Sequence, residues 1–106
     1  MLFRSKAVAL RPNDGAIIDS LAWAVYRQGD YPKSVELLER AVALQSTDAT
    51  INEHLGDALW RVGRKIEARF QWQRALGLNP EKERVPQIED KLKNGMSEEK
   101  PAGKGG

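Results

Sequence analysis

Apolar residues recur along the first half of the chain at the three-and-four spacing of an amphipathic helix. Ile17, Leu21, Ala24 and Val25 make one run, and Val35, Leu38, Ala41 and Val42 make a second. Gly29 and Asp30 stand between them. Glycine suits the left-handed residue that closes a helix, aspartate can cap the next one, and Pro32 is tolerated in a first turn. The pattern predicts a helical hairpin.

The hairpin is predicted to occur twice. Shifting the chain by 34 places, the distance from Ile17 to Ile51, also aligns Leu21 with Leu55, Ala24 with Ala58, Arg27 with Arg61, Gly29 with Gly63, Arg40 with Arg74, Ala41 with Ala75 and Leu44 with Leu78. Similar residues pair in the same register: Ala22 with Gly56, Val25 with Leu59, Tyr26 with Trp60, Ser34 with Ala68, and Val42 with Leu76. A fixed period of this size marks repeated supersecondary units. Small residues fall where two helices must approach, Ala22 or Gly56 facing Ser34 or Ala68 and Ala41 or Ala75. Larger side chains there would push the axes beyond the usual packing distance. Ala41→Leu should overpack the hairpin at a cost of about 1–3 kcal/mol.

With these positions in view, the units LAWAVYRQGDYPKSVELLERAVAL and LGDALWRVGRKIEARFQWQRALGLNP resemble the tetratricopeptide repeat family. Leucine, a small residue, glycine, a second small residue, alanine and leucine recur in register, and Asn79-Pro80 supplies the usual end. Ile18 and Asn52 stand where the family often has tryptophan, Ser34 replaces an inner alanine, and Ser46 replaces a proline. The resemblance implies an all-α fold of antiparallel helical hairpins stacked as a short right-handed superhelix. Its implied parts are a partial repeat helix over 3–12, repeats over 15–48 and 49–82, and a capping helix over 83–94, together a domain over 1–94.

The stretch FRSKAVALRPND places Ala7, Leu10 and Pro12 one period before Ala41, Leu44 and Ser46, so the chain reads as the end of a longer array of the kind found in bacterial repeat proteins. Val85, Ile88 and Leu92 give the capping helix a single apolar stripe, with Pro86 in its first turn, and terminal repeats need a polar outer face. From Gly95 onward only Met96 is large and apolar, which predicts a disordered tail over 95–106.

Composition narrows the chemistry. The 106 residues carry 17 basic against 15 acidic side chains, a formal charge of +2, which favours neither nucleic acid nor an anionic membrane. Lys33, Arg40, Lys65, Arg69 and Arg74 are scattered by helical spacing among Glu36, Glu39 and Glu67, and read as a solvated surface. No cysteine is present, so disulfides and thiolate metal sites are excluded and the redox compartment stays open. His54 is the single imidazole, and it reads as a partly exposed helix residue without a nucleophile or orienting partner. No secretory leader and no membrane-spanning stretch is recognisable. The reading is of a soluble chain, cytoplasmic or periplasmic, with no enzyme activity, no cofactor and no metal.

Binding is the remaining role. The resemblance implies a concave groove lined by the first helix of each unit: Ala16, Asp19, Trp23, Tyr26 and Arg27, then Thr50, Glu53, Asp57, Trp60 and Arg61. The site residues named for a peptide segment of an unidentified protein partner are Asp19, Trp23, Tyr26, Arg27, Glu53, Asp57, Trp60 and Arg61. Relatives that grip the acidic C-termini of chaperones use basic residues and asparagine where this chain has Asp19, Trp23, Glu53 and Asp57, so like charge opposes that ligand. Two alternatives stand beside the groove: self-association into a homo-oligomer, and a purely architectural role at the end of an array. Phe70, at a position usually polar in the family, is expected to meet the cap or a second chain. Trp72 takes the core place that Leu38 holds one period earlier.

Overall fold

The computed structural model describes residues 14–97. The helix expected over 3–12 and the tail beyond residue 97 lie outside the described residues. Helices α1 (Gly15–Arg27) and α2 (Tyr31–Leu44) form one antiparallel hairpin, and α3 (Ala49–Arg61) and α4 (Lys65–Leu76) form a second. A 3-10 turn over Lys82–Arg84 leads into α5 (Val85–Asn94), which packs on α4, while α2 packs on α3. Among the described residues there are helices and no strands.

Local chemistry sets the helix ends. Asp14, Asp30 and Asp48 cap α1, α2 and α3, their carboxylates accepting from Ala16 and Ile17, from Lys33, and from Ile51 backbone N–H groups. Gly29 and Gly63 both take φ of +91°, a conformation that L side chains resist. At each turn the glycine N–H reaches the carbonyl three residues back, Tyr26 or Trp60. The following N–H reaches Val25 or Leu59. These paired bonds are Schellman closures, and they turn the chain back on itself within three residues.

The stacking of units explains which apolar residues are buried. Ile51 and Leu55, under α2, are 2% and 3% exposed, whereas their period mates Ile17 and Leu21 are 52% and 53% exposed. On α1 the core face runs instead through Ile18, Ala22 and Tyr26. The small positions differ in how they are used. Ser34 is fully buried and its hydroxyl donates to the Ala22 carbonyl at 3.0 Å, tying α2 to α1. In the second hairpin Trp72 is fully buried as expected. A Cβ on Gly56 would lie 2.5 Å from Trp72 Cδ1 and Nε1, so glycine makes room for the indole. Asn52 closes the turn between hairpins, its amide donating to the Ser46 and Asp48 carbonyls.

The cap uses Ile88, which is fully buried, with Leu92 packed beside it. Phe70 does not receive it, and is exposed on α4. The expected tail requires a correction at its start: residues 95–97 are held against α3 by hydrogen bonds from Trp60 and Arg61 to main-chain carbonyls.

Candidate functional site

Asp19, Trp23, Tyr26 and Arg27 recur at four- and three-residue steps on α1 and share one face. The Trp23 indole is half-buried and stacks on Tyr26, with centroids 4.4 Å apart and planes 9° from parallel. It also stacks on His54 of α3, at 4.0 Å and 18°. His54 Nδ1 donates to Asp19 Oδ1 at 2.9 Å. Because a carboxylate only accepts, Nδ1 carries the hydrogen and Nε2 is the acceptor in the neutral ring. Asp19, Ser20, Trp23, Ala24, Arg27 and His54 together line an open cleft.

The matching face of α3 is built differently. Glu53 and Asp57 are 3% and 5% exposed, beneath the 3-10 turn and α5. Arg84 forks onto both Glu53 oxygens, Nε to Oε1 at 3.1 Å and Nη2 to Oε2. Lys91 Nζ bridges the two carboxylates, at 2.7 Å from Glu53 Oε2 and 2.8 Å from Asp57 Oδ1. Trp72 Nε1 donates to Asp57 Oδ1 at 2.9 Å. Burial opposes ionisation of Glu53, but hydrogen bonds from Arg84 and Lys91 and their charges outweigh it and hold the carboxyl below its usual value. For Asp57 burial prevails and pushes the carboxyl up, Lys91 and Trp72 offsetting part of the effect and the Glu53 charge adding to it. A salt-bridged layer thus joins the second unit to the cap.

Trp60 and Arg61 hold the chain that leaves α5. Trp60 Nε1 donates to the Met96 carbonyl at 3.1 Å, and Arg61 Nη1 to the Ser97 carbonyl at 2.8 Å. On its other side Arg61 Nε donates to the Tyr26 hydroxyl at 3.0 Å, and Tyr26 itself is buried. Lys65 Nζ and the Arg69 guanidinium lie 4.8 and 5.2 Å from the Trp60 ring centroid, within cation–π range.

The eight residues expected in one groove therefore divide. Asp19, Trp23 and Arg27 meet in the open cleft; Tyr26 braces Arg61 from the core; Glu53 and Asp57 lie under the cap; Trp60 and Arg61 grip residues 96–97. Like charge facing an acidic ligand is reduced accordingly. Glu53 and Asp57 are already paired with Arg84 and Lys91, and only Asp19 still carries it.

Sequence reasoning missed His54 as a member of the cleft. A signal existed: Asp19 and His54 are separated by 35 residues, one period plus one, and so are Tyr26 and Arg61. First helices of adjacent units meet at that offset. Among the described residues no group of three or more His, Cys, Asp or Glu side chains is placed to hold a metal ion. No described helix is long and apolar enough to cross a membrane.

A family model described as TPR repeat matches residues 24–63, which span the end of α1, all of α2 and α3, and the turn after α3. No curated protein and no solved structure matches the chain. The repeat match over residues 24–63 and the all-helical hairpins are consistent with a tetratricopeptide-repeat fold.

Proposed function

We propose that this tetratricopeptide-repeat chain is a non-catalytic interaction module whose α1 cleft takes a segment of a partner protein. Repeats of this family generally mediate protein–protein interaction. The observation that carries the finer reading is the Trp23 stack: a half-buried indole fixed by His54 and Tyr26, with Asp19 on one side and the exposed Arg27 guanidinium on the other. A ring fixed before binding costs little entropy to use, and aromatic and arginine side chains dominate binding energy at interfaces. Asp19 favours a basic or amide-bearing side chain on the ligand, and Arg27 favours a carbonyl or carboxylate.

The test is selection of binding peptides from a displayed random library against the chain, followed by titration of the winners. Trp23→Ala and Arg27→Ala should each weaken them by about 2 kcal/mol, a typical interface hot-spot loss. Winners that bind both variants as well as the parent would exclude the cleft.

Self-association is the second reading, favoured by one observation. Phe70 and Ile66 are exposed on α4 and line a groove with Val42, Leu55 and Leu59. An exposed apolar groove of this kind fits a second copy of the chain. Light scattering over a dilution series, with Phe70→Asp as control, tests it; a monomer mass at every concentration rejects it.

A further inference from the structure

The contacts that hold residues 95–97 are those of a bound peptide. Trp60 and Arg61 reach main-chain carbonyls, those of Met96 and Ser97. Gly95 is buried with its Cα against the Trp60 ring; a Cβ there would fall 2.4 Å from Cη2 and 2.5 Å from Cζ2. Its φ of +72° is also one that other residues resist. Main-chain recognition supplies affinity for many sequences, and a close-fitting position supplies selection among them. Here the close-fitting position admits only glycine.

The two donors are fixed before any ligand arrives. Tyr26 holds Arg61 from behind, and Trp60 is packed against Trp72 and flanked by Lys65 and Arg69. Beside the strap an open cleft continues over Gln87, Asp90 and Lys91 of α5. We propose that the Trp60–Arg61 face is a second peptide site, distinct from the Trp23 cleft, that recognises an extended segment by a glycine on the indole and the next two carbonyls, and that the strap Gly95–Ser97 occupies it in cis. A partner segment of the same kind enters by displacing the strap.

The experiment follows the Trp60 indole N–H resonance, identified by its loss in Trp60→Phe, in the full chain and in Gly95→Val. A synthetic peptide of residues 94–106 is then added to each. Tethering gives the native strap an effective concentration on the order of millimolar, so free peptide at about 0.1 mM leaves the wild type unmoved. In Gly95→Val the resonance should shift and exchange faster with water, and the peptide should return it to the wild-type position. Adding Arg61→Ala should weaken that rescue by about tenfold, the loss of one charge-assisted hydrogen bond. An unshifted resonance in Gly95→Val, a shifted one that the peptide does not return, or equal peptide responses in wild type and variant would each overturn the proposal. Should Gly95→Val lose its helical circular dichroism, Gly95→Ala places a smaller group on the same ring and carries the same comparison. Both readouts lie at Trp60 and the strap peptide, so the outcome does not depend on whether the α1 cleft takes a ligand.

Discussion

Gly56→Ala should destabilise the chain, although alanine is the better helix former. In an exposed helix interior this exchange gains about 1 kcal/mol. At position 56 the added methyl would lie 2.5 Å from two atoms of the Trp72 ring and 3.0 Å from the Ala68 carbonyl. Trp72 cannot retreat, because it is fully buried and its Nε1 is bonded to Asp57. Overpacking at the upper end of its range, about 3 kcal/mol, then leaves a net loss of about 2 kcal/mol. In thermal unfolding that is a fall of roughly 10 °C for a domain of this size. The first unit holds the solution for a larger residue at 56, since its period mates are Ala22 and Leu38, both fully buried. In a Trp72→Leu background, Gly56→Ala should therefore be neutral or gain about 1 kcal/mol, giving a coupling of about 2–3 kcal/mol in the double-mutant cycle. Urea unfolding followed by far-UV circular dichroism measures all four proteins. Equal effects of Gly56→Ala in the two backgrounds would refute the argument, as would a stabilised single variant.

Lys91→Met should cost about 3 kcal/mol, the low end for breaking a buried ion pair, because Glu53 keeps Arg84 while Asp57 keeps only Trp72; urea midpoints at neutral pH measure it. The Glu53 pKa is depressed, so its contribution is complete above the ordinary carboxyl value of 4.5 and is lost as pH falls through the lower folded value. Asp57 runs the opposite way, its contribution complete below 3.8 and lost as pH rises through its raised folded value. The stability gap between wild type and Glu53→Gln should thus be widest near neutrality and close as pH falls below 4.5; a gap constant with pH would contradict the pairing. Ser34→Ala removes one buried hydrogen bond whose acceptor, the Ala22 carbonyl, lies within α1, so the loss should stay near 1 kcal/mol by thermal unfolding.

How much was legible beforehand differs between the two functional faces. The hairpins, their glycine turns and the core place of Trp72 are local or periodic features, and at these positions the period mate predicts the role. Helical spacing puts Asp19, Trp23 and Arg27 on one face of α1, and the family resemblance implied that this face lines a groove. His54 escaped because its partners lie one unit away, and the bland character of a lone histidine concealed the offset. Glu53 and Asp57 read as groove carboxylates because their helix presents them on the same face as Asp19. Nothing in their own segment announced Arg84 and Lys91, which reach them from 31 and 34–38 residues downstream.

By itself the sequence determined the repeat. Apolar spacing, small residues at the helix contact and glycines at the turns depend on neighbours within one unit, and a period written twice states them twice. Tertiary structure alone decided which parts of the shared face remain open. Residues after Lys82 belong to no repeat and have no period mate to read from, yet they supply the cations that pair with Glu53 and Asp57 and the carbonyls that satisfy Trp60 and Arg61. Exposure is a property of everything packed against a residue, and in this chain the last contribution comes from its least patterned segment.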